Sequence, residues 1–331
     1  MFAPGVRAFA AGCPRIARSS PLRSACDNVL AAPPVDEGAA RKFIEESFSA
    51  WAVVSAEGTA EGLITGYYEP VLPGNRTRTD RFRHPVFGVP EDLVAVDLES
   101  VNPELKGLRL RGRLEGNRLV PYWSRGEIED RTALRAPVLA WVEDPVELFF
   151  LQIQGSGQID LAQGERLRLG YADQNGHPFR SMGRYLIQRG ELSLEQASMQ
   201  GIKAWAAANP RKLREALDSN PSYVFFREMP VGQDGPIGTL GAPLTAGHSV
   251  AVDPRYVPLG APVFLATTLP LSTQPLHRLM AAQDTGGAIR GAARADFFWG
   301  TGNEAGTLAG RMRQQGRMWI LWPRGEALPK F

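Results

Sequence analysis

The chain has 331 residues, enough for one large domain or two ordinary ones, each with its own core. Apolar residues make up 44% and charged residues 22%, and the net charge of +2, with Lys and Arg scattered among acids, argues against a nucleic-acid partner. No apolar run approaches the roughly 18–20 residues of a membrane-spanning helix. None of the four histidines (His84, His177, His248, His277) is close in sequence to another histidine or to a cysteine, so no metal is expected.

The two cysteines, Cys13 and Cys26, suit either one disulfide in an oxidising compartment or two free thiols. Ala10 to Cys13 superficially resembles a lipoprotein cleavage box, but Pro4, Gly5 and Arg7 occupy the stretch where the apolar h-region should lie. No export signal is therefore expected in this segment. Next, Ala39 to Trp51 reads as an amphipathic helix with Phe43, Ser47 and Trp51 on one face. Gly62 to Glu69 reads as a strand that stops at Pro70.

From about residue 71 to 230 short β-type runs are expected at Asp92 to Val96, Val138 to Val142 and Glu147 to Gln154. Helices follow at Arg180 to Arg189, Leu194 to Asn209 and Pro210 to Ser219, then a strand at Tyr223 to Phe226. Val231 to Pro236, rich in Gly and lacking apolar periodicity, is the best linker candidate. Beyond it come strands at Ser249 to Val252, Val263 to Ala266, Arg278 to Ala282, Ala295 to Trp299 and Met318 to Trp322, with one helix at Asn303 to Arg313. Five short strands with turns at most breaks suggest a small closed barrel.

The densest chemistry lies between Asp284 and Trp299. Asp284 ends a strand at Gly286-Gly287, a turn where the backbone can take positive φ and a ligand can approach closely. Asp296 opens the apolar run Phe297-Phe298-Trp299, so its carboxyl is expected to be partly desolvated, which raises its pKa toward that of a proton donor. Asp253, before Pro254, suits a turn. Spacing alone favours turn capping for Asp284 and Asp296, and more strongly for Asp253.

Six segments in order, spanning about residues 60 to 322, resemble the lytic murein transglycosylase A family. They are Gly66-Tyr67-Tyr68-Glu69-Pro70, Gln154-Gly155-Ser156-Gly157, Tyr171 to His177, Arg180-Ser181-Met182-Gly183, Asn220 to Phe226, and Asp284 to Trp299. The resemblance implies a mainly β protein with helices: a double-ψ β-barrel domain (1–70 and 235–331), an inserted β-rich glycan-binding domain (71–230), and a groove between them. It implies Asp296 as the catalytic residue, Asp284 as its supporting aspartate and Asp253 as a third family aspartate, grouped here with substrate binding. Tyr67, Tyr68, Gln154, Ser156, Tyr171, Asp173 and Asn175 have the aromatic and polar character a glycan groove needs and complete that set.

The expected reaction cleaves the β-1,4 bond between N-acetylmuramic acid and N-acetylglucosamine in peptidoglycan. One aspartate acts first as acid and then as base, and an exo-acting enzyme leaves 1,6-anhydromuramoyl ends. No cofactor is expected. The partners are glycan strands, not nucleic acid, for a monomer that could join a cell-wall enzyme complex. A periplasmic location, with outer-membrane association open, goes with this, although the lipoprotein signal of some family members is not visible. Two rivals are an inverting hydrolase with Asp284 as base and a non-catalytic glycan-binding module.

Overall fold

The computed structural model describes residues 1–98, 100–101, 110–130, 134–162, 164–230 and 235–328. Of the linker expected over Val231 to Pro236, residues 231–234 lie outside the described residues. The chain divides into two compact units, Met1–Glu69 with Gly232–Phe331, and Pro70–Val231.

The first unit begins with α1 (Phe2–Gly12), which Pro14 brings to an end, and α2 (Arg23–Ala31). Cys13 and Cys26 are joined as a disulfide with Cα atoms 5.3 Å apart, and both residues are fully buried. Cys13 is thereby a core residue and cannot serve as a lipidated cysteine. Helix α3 (Glu37–Ser47) starts where the Asp36 carboxylate accepts from Ala39 N. It does not run to Trp51 as the spacing suggests. The chain turns extended at Phe48, and β1 (Phe48–Ala52) pairs with the last strand of the protein, placing Trp51 opposite Ile320. Phe48 is held by edge-to-face contacts with Phe9 and Phe43. Tertiary pairing here overrides a helical periodicity. Strand β2 (Glu61–Glu69) follows.

The second unit opens with β3 (Val71–Asn75), β4 (His84–Phe87), β5 (Val94–Val96), β6 (Leu110–Glu115), β7 (Arg118–Pro121), α4 (Arg125–Asp130) and β8 (Val138–Val142). Residues 147–154, expected as a strand, belong instead to α5 (Pro145–Gln154). Asp144 caps it, Pro145 occupies its first turn, and Gly155 closes it in the left-handed conformation at φ +77°. Then come β9 (Ser156–Leu161), β10 (Arg166–Gln174), α6 (Met182–Gln188), α7 (Met199–Ala208), α8 (Leu213–Asp218) and β11 (Val224–Met229). The main sheet has the order β11-β10-β9-β3-β8-β4, and β5-β6-β7 form a smaller one. Leu72, Val86, Val142, Leu151 and Ile159 form the core of the main sheet, and a second cluster around Phe149, Leu186 and Trp205 knits the helices together.

The chain then completes the first unit with β12 (Ser249–Val252), β13 (Pro262–Thr268), β14 (Pro275–Asp284), β15 (Ala295–Thr301), α9 (Gly302–Arg311) and β16 (Arg313–Pro323). The sheet runs β16-β13-β14-β12-β15-β2, and β2 pairs back onto β16, closing a six-stranded barrel. Two of its pairs, β12 with β14 and β15 with β2, are parallel, in keeping with the double-ψ barrel expected. Val250, Val263, Leu265, Met280 and Phe297 fill its interior. Among the described residues no helix is long and apolar enough to cross a membrane.

Asp253, grouped above with substrate binding, is a structural pin. It is fully buried and accepts from Gly291 N at 2.8 Å and from Arg255 Nη2 at 2.7 Å and Nε at 3.0 Å. Burial alone would raise its pKa, but the Arg255 and Gly291 hydrogen bonds and the Arg255 charge outweigh it and lower the pKa to about 2. The turn expected at Gly286-Gly287 forms, with Ile289 N donating to Gly286 O at 3.0 Å, but without positive φ at either glycine; the left-handed residue of that loop is Gly291 (φ +108°).

Two outcomes follow from these contacts. Replacing both Cys13 and Cys26 with Ser should cost about 3 kcal/mol at most in chemical denaturation, because the bridged residues are only 13 apart in sequence; undiminished stability would contradict a formed bridge. Asp253→Ala should cost about 1–3 kcal/mol by leaving the half-buried Gly291 N–H without its partner, with little change in KM for purified sacculi. A rise in KM at unchanged stability would return Asp253 to the glycan surface.

Candidate active site

Strand alternation decides which side chains of β2 can act together. Ile64, Gly66 and Tyr68 lie on one face of β2. Gly66 is needed there, because a Cβ would meet Trp299 Nε1 at 2.7 Å and Ala309 Cα at 2.9 Å. Helix α9 presses so closely on this face that Tyr68 is buried at 5% exposure with its ring against Gly306. Tyr68 is thus a packing residue and not part of an open glycan surface. Thr65 and Tyr67 point to the other face.

Parallel pairing of β15 with β2 then sets Asp296 opposite Thr65 and Phe298 opposite Tyr67. Thr65 Oγ1 donates to Asp296 Oδ1 at 2.5 Å. Tyr67 stacks against Phe298, ring centroids 5.2 Å apart, and its hydroxyl donates to Asp284 Oδ2 at 3.2 Å. Asp284 Oδ1 accepts from Thr239 N at 2.9 Å, Thr239 Oγ1 at 2.8 Å and Thr285 N at 2.9 Å. Three residues singled out in the sequence, Asp296, Asp284 and Tyr67, are therefore brought together. Thr65 and Thr239 are the partners that sequence reasoning missed. Thr65 carried a signal, since it lies two residues before Tyr67 in a strand and must share its face; Thr239 sits in a turn and carried none.

Both aspartates are half-buried. Burial raises the Asp296 pKa; the Thr65 hydrogen bond and the Arg294 charge oppose the rise, and the Asp284 charge adds to it. Burial also raises Asp284, against its hydrogen bonds from Thr239, Thr285 and Tyr67. Tyr67 is pushed well above the ordinary phenol value by burial and by the two carboxylates, so it stays a donor. Among the described residues no three His, Cys, Asp or Glu side chains gather as a metal site.

The other expected residues belong to the second unit. Gln154, Ser156 and Tyr171 are half-buried around one end of the β9–β10 pair, where Ser156 faces Gly170 in the register. Asp173 is bound to Arg111, whose Nε donates to it at 2.8 Å. Asn175 is completely buried and cannot touch a glycan. Its amide nitrogen donates to the carbonyls of Trp123 and Pro221 at 2.8 Å, and its oxygen accepts from Tyr223 N at 2.9 Å, so it clamps two loops to each other.

Comparison with known proteins matches residues 63–227 to the MltA specific insert domain and residues 248–322 to the 3D domain. The chain is 33% identical over 292 residues to membrane-bound lytic murein transglycosylase A of Escherichia coli K12, covering 86% of this chain and 72% of that protein. The crystal structure of MltA from Neisseria gonorrhoeae superposes with a TM-score of 0.86 at 42% identity, covering 98% of this chain and 89% of that one. The structure of E. coli MltA with bound chitohexaose gives a TM-score of 0.72 at 30% identity, covering 97% and 89%. Fold, matched segments and identity agree, and the chain belongs to the MltA family of lytic murein transglycosylases.

Proposed function

We propose that this protein cleaves the β-1,4 bond between N-acetylmuramic acid and N-acetylglucosamine in peptidoglycan by transglycosylation, with Asp296 as acid and then base. One observation carries the reading: half-buried Asp296, raised in pKa by burial, is anchored through one oxygen by Thr65 while its other oxygen has no partner among the described residues. Protonated Asp296 gives its proton to the bridging oxygen as the bond to muramoyl C1 breaks and positive charge develops there. The resulting carboxylate takes the proton of the muramoyl C6 hydroxyl, whose oxygen bonds to C1 and closes a 1,6-anhydro ring. The proton returns to Asp296 and no water is consumed. Such assistance contributes about 10²–10⁴-fold.

The hydrolase alternative would need Asp284 to activate a water. Its Oδ1 already accepts from Thr239 N, Thr239 Oγ1 and Thr285 N and its Oδ2 from Tyr67, an arrangement that favours a charge held in place over a water-activating base. A non-catalytic binding module would have no use for two neighbouring carboxyls whose pKa values burial raises. Half-buried Gln154, Ser156 and Tyr171 support the inserted domain as the glycan-binding part. The Cys13–Cys26 bridge supports work in the periplasm, and the relatives' name supports association with a membrane there. Exo action from strand ends completes the proposal as an expectation of family membership.

Asp296→Asn should lower turnover of purified sacculi by at least about 100-fold with folding intact, since the amide cannot cycle a proton; activity within about tenfold of the parent would reject Asp296 as the acid/base. Asp284→Asn should lose less. Removing the like charge lowers the Asp296 pKa, and because the protonated acid starts the reaction, the falling limb of the kcat/KM–pH profile should move to lower pH. An unmoved profile would take Asp284 out of the mechanism.

A further inference from the structure

Arg294 lies two residues before Asp296, yet it does not bond to that carboxylate. Its half-buried guanidinium spans β15 and β2, donating from Nη1 to the carbonyls of Ala295 and Leu63 and from Nη2 to Thr65 Oγ1 at 2.8 Å. Thr65 Oγ1 therefore receives a hydrogen bond from a group that can only donate. Its single hydroxyl proton is left for Asp296 Oδ1, 2.5 Å away. Asp296 Oδ2 has no hydrogen-bond partner among the described residues.

From this geometry we infer that Arg294 is a positioning residue that acts through Thr65, fixing the threonine hydroxyl as a donor so that Asp296 Oδ1 is the anchored oxygen and Oδ2 the one that gives and takes the proton. The inference rests on Asp296 being the acid/base and names how that residue is set. The relay works in both halves of the reaction. In the acid half, Oδ1 is occupied by the Thr65 proton, so the transferable proton resides on Oδ2. In the base half, the Thr65 bond and the nearby guanidinium charge stabilise the carboxylate that has just formed, against a desolvation that disfavours it.

Charged and titratable groups around Asp296 come from each neighbouring strand. β2 supplies Tyr67, the end of β14 supplies Asp284, and Arg294 precedes β15. Arg313 of β16 sits opposite Thr65 in the register. β12 places uncharged Ala251 opposite Asp296, and α9 packs on the far face of β2 against Gly66 and Tyr68. Arg294 is the cation whose charge acts on Asp296 and whose hydrogen bond reaches it through one hydroxyl.

The test compares kcat/KM–pH profiles on purified sacculi for the parent, Arg294→Gln, Arg294→Lys and Thr65→Val, with Asp296→Asn as reference. Loss of the guanidinium should raise the Asp296 pKa, so Arg294→Gln should move the falling limb upward by about one pH unit and lower kcat more than it raises KM. The shift is opposite in sign to that of Asp284→Asn. Arg294→Lys, which keeps the charge but not the fork to both strands, should shift less. A merely structural role would lower activity or stability without moving the limb. Should Arg294→Gln fail to fold, Thr65→Val leaves the Arg294 bonds to the Leu63 and Ala295 carbonyls in place and should give the same upward shift. If Asp296→Asn is inactive and neither variant moves the limb, the relay is wrong and the acid/base assignment stands. If Asp296→Asn retains activity, both fall.

Discussion

Parallel pairing of β2 with β15 is the constraint on which the site depends. It sets Asp296 opposite Thr65 and Phe298 opposite Tyr67, bringing together segments more than 200 residues apart in sequence. A slip of one residue in that register would turn Asp296 into the barrel and Phe297 out of it. Two features hold the register. β2 is paired on both edges, with β15 and with β16, and Gly66 lets α9 bear directly on its inner face. Barrel closure thus converts a local alternation of side chains into a fixed pair of carboxyls.

Around that frame the electrostatics are balanced between opposing demands. A proton donor near neutral pH needs its carboxyl raised, and burial does this at Asp296. A base in the following step needs the same carboxylate to be tolerable, and the Thr65 bond with the Arg294 charge opposes the rise. Asp284, held by hydrogen bonds from Thr239, Thr285 and Tyr67, contributes a charge fixed in place. Asp253 shows the contrasting case in the same barrel, where a fork to Arg255 and the Gly291 N–H hold the pKa down to about 2 and leave the carboxylate to structure alone.

Much of the barrel was legible because its strands announce themselves. Ser249 to Val252 is a short apolar run with turns on both sides, and Ala295 to Trp299 places its aspartate at a strand opening; both became strands as expected. The failures have specific causes. Residues 147–154 look like a strand because Phe149, Phe150 and Leu151 form a continuous apolar run, which a helix buried on several sides also shows; Asp144, Pro145 and Gly155 were the signals that decide it. Residues 48–52 keep a helical period but are claimed by the free edge of β16. Asn175 and Asp253 have the chemistry of ligand-binding residues, and nothing local in the sequence reveals that the fold encloses them. Thr65 and Arg294 gain their meaning only from a partner on another strand.

The central claim is that the attacking oxygen comes from the sugar and not from solvent, so that one carboxyl suffices. Digestion of purified sacculi in ¹⁸O-water, followed by mass spectrometry of the new muramoyl ends, tests this most directly. Intramolecular attack gives 1,6-anhydromuramoyl ends, one water lighter than reducing ends and free of label. Reducing ends carrying one ¹⁸O would contradict it and place a solvent molecule, with a base to activate it, at the reacting carbon.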